Sequence, residues 1–146
     1  MLKIFLCDDD LEARAQYAGL IKKAAKKNKV EITISYFKSG EELLFFLADS
    51  PNQADIIYLD ILMNKLNGLD TAKRLRELGC SSEIIFLTIS EDYVFDAYDI
   101  SPVQYLIKSK ILLLNLRKYL TGRLLWPQKK KMICSFVRQG RIILEK

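Results

Sequence analysis

The stretch Asp55-Ile56-Ile57-Tyr58-Leu59-Asp60 decides the fold and contains the first candidate functional residue. Its four central residues are apolar, and a turn signal, Asn67-Gly68, follows shortly afterwards. A short apolar run bounded by turn residues predicts a buried strand of the kind found in parallel sheets. Asp60 would then lie at the carboxyl edge of the sheet, where open α/β folds bind their ligands. Considered alone, Asp60 is equally well explained as a turn or helix-capping residue.

The alternation of apolar strands and amphipathic helices continues through residue 122. Strands that alternate with helices of these lengths indicate βαβ units. Five such units predict an α/β fold, a flavodoxin-like, doubly wound parallel sheet in the order 2-1-3-4-5 with helices on both faces. The predicted strands cover residues 2–7, 30–36, 55–60, 83–88 and 103–107. The predicted helices cover residues 11–27, the residues after Ser39 through Leu47, and residues 68–78, 91–98 and 109–121. Ser39 and Glu42 fit a capping box at the start of the second of these helices.

Composition limits the class of protein and its compartment. The chain has 146 residues, of which 50% are hydrophobic and 28% charged, enough for a folded core. No apolar run approaches the ~18 residues of a membrane-spanning helix, and the apolar start is too short for a secretion signal. The three cysteines form no CxxC pair. We therefore expect a cytoplasmic protein with reduced thiols and no membrane partner.

The complete lack of histidine excludes several kinds of chemistry. Ser-His-Asp and Cys-His catalysis, histidine metal sites and a histidine phosphocarrier all require that residue. Glycine-rich phosphate loops of the GxxxxGK[ST] and GxGxxG kinds do not occur either.

Charge divides the chain beside Trp126-Pro127. Residues 1–122 hold 16 Lys and Arg against 17 Asp and Glu, whereas residues 123–146 hold 7 against 1. This shift predicts a first domain over 1–122, a basic linker over 123–131, and a hairpin over 132–146 that begins another domain.

Polar and charged residues stand where four predicted strands end. In the order 2-1-3-4-5 these ends meet at one edge of the sheet. Carboxylates in one cleft repel each other unless a cation neutralises them, and an all-oxygen set favours Mg²⁺ over Ca²⁺. Phosphoryl transfer would use such an ion with an aspartate nucleophile, a hydroxyl donor and a lysine. The candidates are Asp8 and Asp9, Asp60, Thr88 and Lys108.

Each candidate also has an ordinary structural explanation. Asp8 and its neighbours would cap a helix, Thr88 would be a plain strand residue, and Lys108 would be a solvated charge. The functional interpretation rests on all four strand ends carrying a group that the chemistry requires.

This combination resembles the receiver domain of two-component response regulators over about residues 1–122. The resemblance implies Asp60 as phosphoacceptor, the acid pair Asp8 and Asp9, and Leu66-Asn67-Gly68 as the turn before the third helix. It also implies a sensor histidine kinase as partner, Mg²⁺ as cofactor, and no enzymatic turnover beyond slow autodephosphorylation. The remaining implied roles are a main-chain carbonyl ligand from Leu62, a switch hydroxyl at Thr88, a switch aromatic at Tyr105 and a phosphate-binding Lys108.

The output of such a protein is also implied by resemblance. Residues 88–98 and 132–146 are similar to regulators with a LytTR-type DNA-binding domain, which implies control of transcription. Such a domain needs on the order of 100 residues, so only its first hairpin would belong to this chain. Signal output, and a homodimer contact, would use the face formed by 91–98, 103–107 and 109–121. Weak nucleic-acid contacts within the chain would come from Lys129, Lys130, Lys131, Arg138 and Arg141.

Four residues depart from the usual receiver pattern. Ser109 follows Lys108 where a cis proline is usual, and a non-proline cis bond costs ~3 kcal/mol. Asn64 replaces another proline, Ile89 replaces a small residue, and apolar Leu62 predicts a long-lived acyl phosphate. Two alternatives therefore stay open. One is a phosphorylation-independent receiver that acts as an interaction module, and the other is a Mg²⁺-dependent phosphatase, which would need an acid or base where Leu62 stands.

Overall fold

The computed structural model describes the backbone of residues 1–88 and 104–107 and the side chains of residues 1–87. Five parallel strands form a sheet in the order β2-β1-β3-β4-β5, which confirms the predicted flavodoxin-like topology. The strands are β1 (Leu2–Cys7), β2 (Ile32–Phe37), β3 (Ile56–Asp60), β4 (Glu83–Thr88) and β5 (Gln104–Ile107), and the described helices are α1 (Leu11–Lys27), α2 (Gly40–Leu47) and α3 (Gly68–Glu77).

The element bounds differ from the predicted ones by two residues at most. β2 begins at Ile32 instead of residue 30, because a turn after α1 occupies the preceding residues and places Lys29 in the left-handed region, with φ of 54°. The predicted helices over 91–98 and 109–121, and the predicted linker and hairpin, lie outside the described residues. Among the described helices, none has the length and apolar character needed to cross a membrane.

The strand β3 lies at the centre of the sheet, and all five of its residues are buried. Consecutive side chains of a strand point to opposite faces. Ile57 and Leu59 therefore join the core beneath α2 and α3, whereas Ile56 and Tyr58 join the core beneath α1. Burial on both faces explains why this stretch is continuously apolar instead of alternating.

Side-chain caps start α2 and α3 at the carboxyl edge of the sheet. Ser39 accepts a hydrogen bond from the N–H of Glu42 at 3.1 Å, as the predicted capping box requires. The Glu42 carboxylate accepts from the N–H of Lys38 at 2.8 Å, one residue further back than in the usual motif. Asn67 caps α3 by accepting from the N–H of Asp70 at 2.8 Å. These caps fix where the loops around the carboxyl edge turn into helix.

Candidate functional site

Three carboxylates meet at the carboxyl edge of the sheet. One oxygen each from Asp8, Asp9 and Asp60 lies within 4.8 Å of the others. Asp60 ends β3, and Asp8 directly follows β1, the strand beside it, in which Cys7 is paired with Leu59. The register of these two parallel strands therefore brings the predicted acid pair and the predicted phosphoacceptor together.

The three carboxylates differ in their access to solvent. Asp8 and Asp60 are only 1% and 3% exposed, whereas Asp9 lies at the surface. Like charges this close repel each other, and burial removes the water that would screen them. Binding of a divalent cation relieves that repulsion, and oxygen ligands without nitrogen or sulfur are those that Mg²⁺ prefers. The donor set and its exposed side at Asp9 fit such an ion.

The consecutive aspartates after β1 have separate roles. Asp10 is the N-cap of α1 and accepts from the N–H of Glu12 at 2.9 Å and of Ala13 at 3.2 Å. Asp8 Oδ1 accepts from the N–H of Asp10 at 2.9 Å, which orients its carboxylate. The capping explanation therefore holds for Asp10, while Asp8 and Asp9 belong to the acidic cluster.

The loop after Asp60 folds back against the strand. A Cβ atom at Gly68 would overlap the carbonyl oxygen of Asp60 and lie 2.8 Å from the Cα of Ile61. The Ile61 carbonyl accepts from the N–H of Gly68 at 2.8 Å and from the N–H of Met63 at 3.1 Å. Leu62, the predicted carbonyl ligand, lies inside this loop with its side chain 41% exposed. The loop is therefore held directly beside the acidic cluster.

The close approach of Gly68 to Asp60 is a feature that the sequence does not reveal. The dipeptide Asn67-Gly68 predicts a turn. It gives no signal for which backbone packs against the glycine, because that contact depends on the direction in which the loop returns.

The thiol of Cys7 lies next to the cluster and is fully buried. Burial, together with the nearby carboxylates of Asp8 and Asp60, raises its pKa. Its sulfur lies 3.9 Å from the sulfur of Met63. A thiol that stays neutral is a poor nucleophile and a poor metal ligand. The chemistry of the described site is therefore that of its oxygen atoms.

The backbone places two further predicted residues on the neighbouring strands. Thr88 is the last residue of β4, directly after Leu87, which pairs with Asp60. Tyr105 lies in β5 opposite Phe86. Their side chains lie outside the described part of the structure. The same is true of the whole of Lys108, Lys129, Lys130, Lys131, Arg138 and Arg141.

Comparisons with known sequences point to a single family. The model of the response regulator receiver domain matches residues 4–116. The sensory transduction protein LytT of Bacillus subtilis (strain 168) is 29% identical over 108 residues, which cover 74% of this chain and 42% of LytT. The positive alginate biosynthesis regulatory protein of Pseudomonas aeruginosa is 35% identical over 107 residues, covering 73% of this chain and 41% of that protein. The chain thus spans less than half the length of these curated relatives.

Solved structures show the same fold. The response regulatory domain of mrkE from Klebsiella pneumoniae has a TM-score of 0.68 at 24% identity, covering 87% of this chain and 99% of that one. The response regulator TrrA from Thermotoga maritima, in complex with Mg²⁺-BeF, has a TM-score of 0.63 at 26% identity, covering 84% and 98%.

The topology, the acidic cluster at the carboxyl edge and the family match over residues 4–116 agree with one another. This chain belongs to the response regulator receiver domains of two-component systems, with regulators of the LytT and LytR type among its relatives.

Proposed function

We propose that Asp60 accepts a phosphoryl group from a sensor histidine kinase. The observation that carries this proposal is the acidic cluster, in which buried Asp60 lies within 4.8 Å of Asp8 and Asp9 at the end of the central strand. Receiver domains of two-component systems partner with histidine kinases. Because this chain has no histidine of its own, the phosphohistidine must belong to the partner.

The transfer replaces a P–N bond by a P–O bond. A carboxylate oxygen of Asp60 attacks the phosphorus atom in line with the imidazole nitrogen. That nitrogen leaves with the electron pair, and the imidazole retains the proton on its other nitrogen. The product is an acyl phosphate on Asp60 and a neutral histidine on the kinase.

Mg²⁺ is the cofactor that we propose for this step. Asp8, Asp9, Asp60 and the main-chain carbonyl of Leu62 would hold it. The bound ion supplies positive charge for the phosphoryl oxygens. TrrA, whose structure contains Mg²⁺-BeF, has the same fold and supports this assignment by analogy.

The protein's own residues position the reacting groups. The N–H of Asp10 orients the Asp8 carboxylate, and Gly68 packs against the backbone of Asp60. Thr88 and Lys108 are the proposed hydroxyl and ammonium donors to the phosphoryl oxygens. Thr88 is the last residue of β4, and Lys108 is the residue after β5 in the sequence.

We infer that phosphorylation repacks the face formed by residues 91–98, β5 and residues 109–121, with Thr88 and Tyr105 as switch residues. A homodimer contact is proposed for the same face. The output would be control of transcription through a LytTR-type domain, and similarity to the transcriptional regulatory protein YpdB of Escherichia coli supports a role in transcription. Specific DNA binding then belongs to that domain, with weaker contacts from the basic residues after 122.

The proposed receiver is a switch and not a turnover enzyme. A phosphatase needs an acid or base beside its nucleophile, and the exposed side chain two residues after Asp60 is Leu62. An apolar side chain there cannot activate water, which favours a long-lived acyl phosphate.

Intact-mass measurement with acetyl phosphate and Mg²⁺ tests the assignment. The wild-type chain should gain one phosphoryl group, and Asp60→Asn should gain none. Asp49→Asn, at an exposed aspartate of the loop after α2, is the matched control and should behave like wild type. An unmodified wild-type chain would instead support the phosphorylation-independent receiver, and equal labelling of Asp60→Asn would place the phosphoryl group elsewhere.

A further inference from the structure

Two phenylalanines on α2 present aromatic surface to solvent. Phe45 is 88% exposed and Phe46 is 49% exposed. The ring of Phe46 packs on Phe5 and Phe37, with centroid distances of 5.7 and 5.4 Å, so its position is fixed. Phe45 has the most exposed side chain among the large apolar residues described. Exposed aromatic surface of this extent gains free energy when a partner covers it.

Acidic residues flank both aromatic rings at helical spacing. Glu41 precedes Phe45 by four residues and Glu42 precedes Phe46 by four, so each pair lies on one stripe of the helix. Both glutamates are exposed. Asp49, just after the helix, adds a third exposed carboxylate, and the exposed Lys38 precedes the helix. We call Glu41, Glu42, Phe45 and Phe46 the α2 surface, which is both aromatic and negatively charged.

The chain itself contains a segment of complementary chemistry outside the described residues. Residues 123–131 read Arg-Leu-Leu-Trp-Pro-Gln-Lys-Lys-Lys, with four cations, no acid and the single tryptophan of the chain. Cations gain energy over aromatic rings and beside carboxylates. Nine residues reach up to ~30 Å when extended, whereas the eight residues of α2 are about 12 Å long. The segment is therefore long enough to cover the surface.

We propose that residues 123–131 dock on the α2 surface of the same chain, with Trp126 against Phe45 and the lysines beside Glu41 and Glu42. We assign the surface to the chain's own segment and not to a second copy, because an intramolecular partner stays present at every dilution. This docking is separate from the chemistry at Asp60. It would hold the linker that follows the receiver against the side of the sheet.

Fluorescence of Trp126 tests the proposal, because it is the only tryptophan and lies within the docking segment. In the folded chain its emission should be blue-shifted, and its quenching by acrylamide weaker, than in concentrated urea. Phe45→Ser and Glu41→Lys should each shift the emission to the red and increase quenching. High salt should also shift the emission to the red and increase quenching, because it screens the attraction between the lysines and the glutamates. The Debye length falls from ~10 Å at 0.1 M to ~3 Å at 1 M.

Matched controls lie on α1, across the sheet from α2. Leu11→Ser changes a side chain that is 72% exposed, and Glu12→Lys reverses an exposed charge. Both should leave the Trp126 signal unchanged, and circular dichroism should show that all variants are folded. Substitution of Lys129, Lys130 and Lys131 by Glu should likewise shift the Trp126 emission to the red and increase its quenching by acrylamide. Adding Glu41→Lys to that triple variant should reverse part of both effects.

Three results would overturn the proposal. The first is a Trp126 that is as accessible in the folded chain as in urea. The second is a protected Trp126 that responds to neither Phe45→Ser nor Glu41→Lys, which would place the segment on another surface. The third is protection that disappears on dilution, which would identify the occupant as a second copy of the chain.

Discussion

Asp8, Asp9 and Asp10 are consecutive in the chain, but their carboxylates lie in three different surroundings. Asp10 accepts two N–H groups of α1, Asp8 is buried and accepts the N–H of Asp10, and Asp9 faces solvent at the rim of the acidic cluster. Substitutions at these neighbouring positions should therefore act on stability in different ways.

Loss of the cap at Asp10 should destabilise the protein. Asp10→Ala leaves the first N–H groups of α1 without their acceptor, and we expect the free energy of unfolding to fall by about 1 kcal/mol. In the absence of a divalent ion, Asp9→Ala should leave the free energy of unfolding unchanged or raise it, because the substitution removes the repulsion between Asp9 and the carboxylates of Asp8 and Asp60. Urea denaturation in EDTA measures both. An equal loss in the two variants would contradict the division of roles.

Substitution by alanine should lower the free energy of unfolding at Gly68 and raise it at Gly19. Gly68→Ala places a Cβ against the backbone of Asp60 and Ile61, which should cost about 1–3 kcal/mol. Nothing lies within 4 Å of a Cβ at Gly19, in the middle of α1. Gly19→Ala should therefore stabilise the protein by up to ~1 kcal/mol through helix propensity. Chemical denaturation gives both values, and a neutral Gly68→Ala would show that the loop moves freely.

At the scale of elements, α2 and α3 make direct contact beside the site. Gly40, the first residue of α2, lies against Thr71, where a Cβ would overlap Oγ1 and lie 3.2 Å from the threonine Cβ. Thr71 Oγ1 donates at 2.8 Å to the carbonyl of Asn67, the N-cap of α3. The starts of two helices at the carboxyl edge are thus packed through one glycine and one threonine.

Gly40→Ala should be strongly coupled to Thr71→Ala. The first change alone should destabilise the protein through overlap with Thr71 Oγ1, by about 1–3 kcal/mol. Thr71→Ala removes that atom, so the double variant should be more stable than the sum of the single effects predicts. A double-mutant cycle from urea denaturation measures the coupling. Strict additivity would contradict a direct contact between the helices.

At the scale of the whole molecule, the acidic cluster joins the central strand β3 to its neighbour β1. Asp8 follows β1 and Asp60 ends β3, and these strands contribute side chains to the cores on both faces. A ligand that binds this cluster binds only the folded chain, since the carboxylates come together only when the strands pair. Binding should therefore stabilise the entire fold.

Addition of Mg²⁺ should raise the midpoint of thermal unfolding. A concentration 100 times the Kd corresponds to about 2.7 kcal/mol of stabilisation for a ligand that binds only the native state. Asp9→Asn should reduce this gain, because it removes a charged oxygen ligand at the exposed side of the site. Asp49→Asn should retain the gain. A Mg²⁺ effect of equal size in all three proteins would indicate nonspecific screening.

From the sequence alone, local patterns determined the alternation of strands and helices, the position of Asp60 at a strand end and the cap of Ser39. The order of the sheet was predicted as the usual arrangement of five βαβ units, and the pairing of the strands confirms it. The sequence predicted Asp8 and Asp9 as the partners of Asp60, but only the tertiary structure decided that Asp10 caps α1 and that the three carboxylates meet, since this depends on strand register and on how α1 starts. It alone revealed the contacts of Gly68 and Gly40, because close approach depends on distant backbone. Leu11 and Ala18 are seven residues apart and lie on the same stripe of α1, yet Leu11 is exposed and Ala18 is buried. This difference also depends on the tertiary structure. The first turn of α1 follows the loop at the carboxyl edge of the sheet, whereas Ala18 packs over its strands.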